Sequence, residues 1–207
     1  MSTRQDSQPN AQSRIIQGER FFVISGGPGG GKSTLINKLR ERGIMCVDET
    51  GRAIIQTQMK IDGRGLPWID SQLLGELALQ QDVANYLAAD PAMLTVFDRG
   101  IVDHIGGAEL NGWPVAGHVR TAVERFRYNQ TVFIAPPWPE IYTTDSERRQ
   151  DFAEAVRTHD AMVLVYRAEG YSIVTLPLAG LEERADFVLE RIAAVVPTVR
   201  RTVAPRS

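Results

Sequence analysis

The sequence has few of the features that mark membrane, secreted or zinc-binding proteins. Only one cysteine, Cys46, occurs among its 207 residues, which excludes an intrachain disulfide framework and zinc sites built from several thiolates. No apolar run is long enough to cross a membrane, and residues 1–18 lack the apolar core of a secretory signal. These absences predict a cytoplasmic protein with no membrane span.

An excess of charge of one sign is also missing. The chain has 23 lysine and arginine residues against 25 aspartate and glutamate residues, which gives a formal net charge of −2. Proteins that bind nucleic acid usually have a marked basic excess, so this balance predicts no nucleic-acid partner. The length predicts one folded domain, over residues 20–196. Polar composition predicts a disordered tail over residues 1–19 and a flexible tail over residues 197–207.

What the sequence does contain is an alternation of strand and helix patterns. Five apolar runs are continuous, which is typical of parallel strands covered on both faces. The alternation predicts an α/β fold, a three-layer sandwich with a five-stranded parallel sheet between helices. The glycine-rich residues 100–117 predict a partly irregular excursion near the site. The strand runs are residues 21–25, 44–47, 94–97, 131–135 and 172–176, and helical spacing covers residues 33–42, 72–88, 118–128, 152–166 and 185–196.

The glycine-rich segment after the first strand is the strongest chemical signal. Its residues GGPGGGKS at 26–33 fit the pattern G-x-x-x-x-G-K-[ST], between a predicted strand and a predicted helix. Glycines allow backbone N–H groups to converge on a phosphate, and the helix N-terminus adds its positive dipole end. Lys32 is predicted to reach the β- and γ-phosphates, and Ser33 to ligate Mg²⁺. The predicted nucleotide-binding residues are Gly26, Gly27, Pro28, Gly29, Gly30, Gly31, Lys32, Ser33 and Thr34.

Asp98 and Arg99 follow the third apolar run. An acid at the end of a buried strand supplies the second magnesium contact of phosphate-loop proteins, so Asp98 is predicted to be a metal ligand and a catalytic residue. The alternative for Asp98 is a cap on the following turn. Arg99 is predicted to contact a phosphate or an acidic group of the substrate, with a structural ion pair as the alternative.

Two acids, Asp48 and Glu49, follow the second apolar run. The carboxyl ends of parallel strands line the binding crevice, and a carboxylate there would accept a proton from a substrate hydroxyl. We favour Glu49 as the catalytic base, with Asp48 as the alternative and as a substrate contact. Either residue would otherwise cap the helix that begins near Thr50. Arg52, one turn into that helix, is predicted to contact an anionic group of the substrate.

Arg148 and Arg149 follow a polar, proline-marked stretch that links the fourth strand to the next helix. An arginine supplied by a lid over the phosphates neutralises charge on a transferring phosphoryl group, which predicts a catalytic role for Arg148. A solvated helix start is the alternative. The chain lacks the guanine-specific pattern NKxD, and the choice between ATP and GTP stays open.

In these motifs the sequence resembles the small P-loop AAA-type ATPase and kinase family related to the nicotinamide riboside kinase domain. The resemblance implies a nucleoside-kinase-like fold with strand order 2-3-1-4-5, binding of ATP or GTP, magnesium near Ser33 and Asp98, and a lid near Arg148 and Arg149. It rests on ISGGPGGGKSTLINKLRERG at 24–43, DETGR at 48–52, FDRGIVD at 97–103, VFIAPPWPEIYTTDSERRQDF at 132–152 and GYSIVTLPLAGLEERADFVL at 170–189.

Two functions of different classes fit this pattern. The first is transfer of the γ-phosphate of a nucleoside triphosphate to a small hydroxyl-bearing molecule. The second is an ATPase or GTPase that acts as a nucleotide-switched binding module, in which hydrolysis changes residues 100–117. The acid after the second strand, the Asp98–Arg99 pair and the lid arginines favour the phosphotransferase.

Overall fold

The computed structural model describes residues 15–142 and 152–196, and a parallel sheet lies at their centre. Five strands form this sheet in the order β3-β4-β2-β6-β7, and two further strands, β1 and β5, form a small parallel pair. Counted among the sheet strands alone, the order is 2-3-1-4-5, which confirms the expected topology. The strands are β1 (Ile16–Gln17), β2 (Phe21–Gly26), β3 (Met45–Val47), β4 (Thr95–Asp98), β5 (Phe126–Arg127), β6 (Thr131–Ala135) and β7 (Ser172–Thr175).

Helices cover both faces of the sheet. Successive side chains of a strand point to opposite faces, so Phe22 and Ile24 pack in one apolar cluster while Phe21 and Val23 pack in the other. The first cluster includes residues of α1 and α7, and the second includes residues of α3, α4, α5 and α6. The three-layer α/β sandwich is therefore confirmed. The helices are α1 (Lys32–Glu41), α2 (Thr50–Lys60), α3 (Ser71–Ala88), α4 (Asp103–Leu110), α5 (Gly117–Arg125), α6 (Phe152–Ala168) and α7 (Leu181–Val195).

The central and edge strands differ in burial. All residues of β2 and β4 are buried, whereas Met45 of β3 and both end residues of β7 are exposed. The expectation of strands covered on both faces therefore holds for the centre of the sheet and is wrong for its edges. An edge strand has a neighbouring strand on one side only, so its side chains are not fully buried even where its sequence is continuously apolar.

The chain before the sheet and the end of α5 also differ from expectation. The predicted helix over residues 118–128 stops at Arg125, because Phe126 and Arg127 pair with β1 instead. Ile16 and Gln17, which fall in the predicted N-terminal tail, form β1. The hydroxyl of Tyr86 lies 3.0 Å from the carbonyl oxygen of Ile16 and 2.6 Å from that of Arg127, so it fastens both short strands to α3.

Residues 100–117 are more regular than their glycine content suggests. They contain α4, which packs with α6 on one face of the sheet. Ile101, Val102 and Ile105 are buried, and residues 111–116 lie between α4 and α5 outside any helix, so the segment is partly irregular, as expected. Within residues 15–142 and 152–196, no helix combines the length and the apolarity that a membrane crossing requires.

Candidate functional site

Strand register brings the predicted site residues to one edge of the sheet. Phe97 of β4 is level with Val23 of β2 and with Val47 of β3, so the residues that follow these strands emerge side by side. A cavity of about 1290 Å³ opens at this edge. Its walls include the phosphate loop, the start of α2 and the residue after β4. The predicted site residues in its lining are Pro28, Gly29, Gly31, Lys32, Ser33, Thr34, Glu49, Arg52 and Arg99.

The phosphate loop connects β2 to α1 and ends at Gly31. Gly31 has a φ of 71°, in the left-handed region that favours glycine, and it caps α1. Lys32 folds back over the loop and donates hydrogen bonds to the carbonyl oxygens of Gly26 (3.2 Å) and Gly27 (2.6 Å). Burial, together with the charge of Arg99, lowers the pKa of Lys32 to about 8. The ammonium group therefore lies where phosphate oxygens would replace the loop carbonyls.

The side chains of Asp98, at the end of β4, and Ser33, in the first turn of α1, contact each other. The Ser33 hydroxyl donates a hydrogen bond of 3.3 Å to Oδ2 of Asp98, and Oδ1 of Asp98 is buried with no hydrogen-bond partner in the described chain. Burial raises the pKa of Asp98 to about 6. Mg²⁺ prefers oxygen ligands and is commonly held by one or two carboxylates together with substrate phosphates. An unpartnered carboxylate oxygen beside a hydroxyl therefore fits magnesium.

Arg99 forms two ion pairs at the end of β4. Its Nε donates to Oε1 of Glu49 at 3.0 Å, and its Nη1 donates to Oδ1 of Asp103 at 3.1 Å. Burial alone would lower the pKa of Arg99, but Glu49, Asp103 and Asp98 outweigh it and raise the pKa. The charge of Arg99 in turn lowers the pKa of Glu49, despite burial. The ion-pair alternative for Arg99 is therefore present, and it holds Glu49 ionised at the cavity wall.

Asp103 fixes the conformation of Arg99. Besides Arg99, its buried carboxylate accepts hydrogen bonds from Ser25 Oγ (2.5 Å), Tyr166 Oη (2.6 Å) and the Gly100 amide (2.9 Å). Arg99 has a φ of 73°, which is uncommon for a residue other than glycine. Backbone strain of this kind persists only where surrounding contacts impose it, and the Asp103 contacts do so.

The start of α2 is fixed by a second network. Thr50 Oγ1 donates to Oδ1 of Asp82 on α3 at 2.9 Å, and His104 Nε2 lies 2.7 Å from the other oxygen of Asp82. Thr50 follows Glu49, and His104 follows Asp103, so both ends of this network adjoin residues of the Arg99 cluster. The base candidate Glu49 is thereby held from two directions.

Asp48, a predicted substrate contact, is absent from the lining of the large cavity. Asp48 accepts a hydrogen bond of 2.6 Å from Arg40, and it lines a second cavity of about 610 Å³ between α2 and α3. Glu49 lines both cavities, whereas Asp48 lines only the second of them. Arg148 and Arg149 lie outside the described residues, and their predicted roles stay predictions.

Arg184 of α7 also lines the cavity at the phosphate loop. It is buried, its Nη2 donates to the Gly30 carbonyl at 3.0 Å, and its Nε has no hydrogen-bond partner in the described residues. Its guanidinium carbon is 5.5 Å from the centre of the Trp138 ring. Burial lowers its pKa. The motif analysis gave no role to Arg184, Trp138 or Asp103, although each lies in one of the segments that carry the family resemblance: 170–189, 132–152 and 97–103.

Comparison with known proteins identifies the family and the fold of this chain. Residues 21–184 match the profile of the family described as AAA domain. Thymidylate kinase from Ehrlichia chaffeensis is 14% identical, with a TM-score of 0.56 over 84% of this chain and 98% of that one. Deoxyadenosine kinase from M. mycoides is 11% identical, with a TM-score of 0.60 over 84% and 99%.

A third solved structure, the NadR protein in complex with NR, is 14% identical, with a TM-score of 0.60 over 90% of this chain and 53% of that one. Among curated proteins, no sequence matches this chain. At these identities the likeness to solved structures establishes the fold, a P-loop fold of the nucleoside and nucleotide kinase type.

The buried charge of Lys32 predicts a pH dependence of stability. Its pKa is about 8 in the folded protein against 10.5 for an ordinary lysine, so the unfolded chain binds the proton more tightly. Protonation of this lysine therefore favours unfolding, and we expect the free energy of unfolding to rise by roughly 3 kcal/mol from pH 8 to 10.5.

Urea unfolding of the wild type and Lys32→Met across this pH range measures the effect, and the other titrating groups cancel in the difference between them. A rise confined to the wild type is expected. If the free energies of unfolding of the two proteins changed in parallel with pH, Lys32 would not lie in a buried position that favours its neutral form.

Proposed function

The chain belongs to the AAA domain family, and from that premise we propose that it is an ATP-dependent phosphotransferase acting on a small hydroxyl-bearing molecule. One observation supports this most directly: a single cavity joins the phosphate loop to Glu49 and continues past both. A triphosphate seated on the loop would place its γ-phosphate towards Glu49. The space beyond Glu49 then remains for a second molecule.

The proposed reaction is a direct transfer between these two molecules. The acceptor hydroxyl oxygen forms a bond to the γ-phosphorus while the bond from that phosphorus to the bridging oxygen breaks, which leaves ADP. The hydroxyl proton passes to the Glu49 carboxylate, which Arg99 keeps ionised. Lys32 neutralises charge on the β- and γ-phosphates. Mg²⁺, held by Ser33 and Asp98, would supply further charge neutralisation on the same oxygens.

The structure favours this proposal over the nucleotide-switched module. A switch that acts through residues 100–117 requires the first part of this segment to move when the nucleotide changes. Ile101, Val102 and Asp103 there are buried, and α4 packs against α6 in the core. Phosphate transfer needs no such movement, because Glu49 and the phosphate loop already face the same cavity.

A transfer assay tests the proposed function. Labelled ATP with magnesium is incubated with nucleosides, cofactor precursors and hydroxylated antibiotics, and the label is followed into the acceptor. Glu49→Gln should bind ATP like the wild type and transfer phosphate about 10²–10⁴-fold more slowly, since the amide cannot accept the proton. Nucleotide binding without transfer to any acceptor would contradict a phosphotransferase.

Lys32→Ala tests the phosphate loop separately. The Lys32 ammonium contacts only loop carbonyls among the bonds described, so its removal should leave the fold intact while productive binding of ATP is lost. Calorimetric titration with MgATP measures the binding, and circular dichroism checks the fold. A folded Lys32→Ala protein that binds ATP with wild-type affinity would remove Lys32 from its assigned role.

Tyr166→Phe tests the support of Arg99. The change removes one donor from the Asp103 carboxylate, which loosens Arg99 and with it Glu49; we expect kcat/KM for the acceptor to fall about tenfold while ATP affinity is unchanged. Tyr171→Phe is the matched control. Its ring contacts that of Tyr166, and its hydroxyl accepts a bond of 3.3 Å from the Tyr128 amide instead.

Steady-state kinetics and melting curves of both tyrosine variants separate positioning from general packing. Both variants should fold, and Tyr166→Phe should lose more stability because its hydroxyl donates to a buried carboxylate. Only Tyr166→Phe should slow transfer, and equal slowing in both variants would show that Asp103 has no specific part in placing Arg99.

A further inference from the structure

The cavity has an apolar end beyond Glu49 that phosphate chemistry does not explain. This end is formed by α2, which begins directly after Glu49, by the connection from α2 to α3, and by the start of α3. A triphosphate seated on the loop makes its contacts through charged and backbone groups, so it leaves these apolar side chains uncovered. The apolar lining consists of Ile55 and Met59 from α2, Pro67 and Trp68 from the α2–α3 connection, and Leu74 from α3.

Trp68 is exposed although its backbone is held firmly. Its side chain is 67% exposed, whereas nearby Leu66 is buried and anchors the connection. Gln58 accepts a hydrogen bond of 2.9 Å from the Gly65 amide, and the Leu66 carbonyl accepts from Asp70 at 2.9 Å. A large aromatic ring on a fixed connection at a cavity wall offers a flat apolar face at little entropic cost, which suits stacking against a flat ring.

The charges at this end disfavour an anionic acceptor. Glu49 contributes a negative charge, and both sides of Arg99 are already paired, with Glu49 and with Asp103. Arg52 lines the cavity but is exposed, so solvent would screen its attraction for an anion. A phosphate placed here would also lie close to the γ-phosphate of the donor. An uncharged molecule meets none of these costs.

We propose that this apolar end binds an uncharged acceptor whose body is a flat aromatic ring, stacked on Trp68, with its hydroxyl directed towards Glu49. The inference rests on the proposed phosphotransferase function and names the class of its acceptor. The ring would cover Trp68 and Met59, and the hydroxyl would lie at the junction with the phosphate loop.

A binding experiment without phosphate transfer tests the acceptor class. The full chain is saturated with magnesium and a non-hydrolysable ATP analogue, so the donor site is filled. Ligand-observed NMR then measures the affinities of three ring alcohols, thymidine, guanosine and phenylethanol, of their phosphate esters, and of deoxyribose. At least one ring alcohol should bind about tenfold or more tightly than its own phosphate ester and than deoxyribose, which lacks a ring.

Variants at the tryptophan then locate the ring. Trp68→Ala should weaken binding of that ring alcohol about tenfold or more, and Trp68→Phe should restore most of it because a phenyl ring also stacks. Trp113→Ala, on the α4–α5 connection and outside this cavity lining, is the matched control and should leave the affinity unchanged. Melting curves confirm that all three variants are folded.

Three outcomes would overturn the inference: no ring alcohol binds, the phosphate esters bind more tightly, or Trp68→Ala and Trp113→Ala change the affinity equally. These outcomes leave the transfer assay unaffected, so the acceptor class can fail while the phosphotransferase function stands. Ring alcohols that bind at Trp68 and never gain phosphate would instead contradict the proposed function.

Discussion

The buried carboxylate of Asp103 is the constraint on which the arrangement of the site depends. Burial of an ionised carboxylate is strongly unfavourable unless it is paired and fully hydrogen-bonded. Asp103 meets this condition with four donors, which come from β2, α6 and the two residues after β4. Because these donors come from three parts of the fold, the carboxylate ties the sheet edge, a core helix and Arg99 into one arrangement.

This arrangement also sets the charge of the cavity. Lys32 and Arg99 supply two positive charges, against the carboxylates of Glu49, Asp98 and Asp103. The raised pKa of Asp98 and the lowered pKa of Lys32 both follow from burial of charge that only ligands can compensate. A site of this kind attracts a metal and a polyphosphate together, because each offsets charge that the other leaves. The net charge of the whole chain is a sum over all residues, so it gives little information about the charges at this cavity.

Site residues that a local sequence pattern marks were predictable, and contacts between residues far apart in the sequence were not. The phosphate loop, Asp98 and Glu49 each follow an apolar run, and that local signal located them at the crevice edge. Tyr166 reaches Asp103 across 63 residues and Arg184 reaches Gly30 across 154, so no local pattern marks either contact. Helical spacing continues through residues 126 and 127, yet pairing with β1 outweighs it. Local propensity is a weak preference that such tertiary contacts override.

The position of Glu49 links the chemistry of the cavity to its shape. Arg99 holds the Glu49 side chain, while Thr50, bonded to Asp82 and through it to His104, holds the adjacent backbone. Both sets of contacts involve the segment after β4, because Arg99 and His104 belong to it. The same helix α2 that starts here contributes Ile55 and Met59 to the apolar wall. A helix behaves as a rigid rod over this length, so the base and the acceptor wall are placed together by one set of contacts. In the proposed reaction, selection of the acceptor and activation of its hydroxyl would therefore depend on the same buried network.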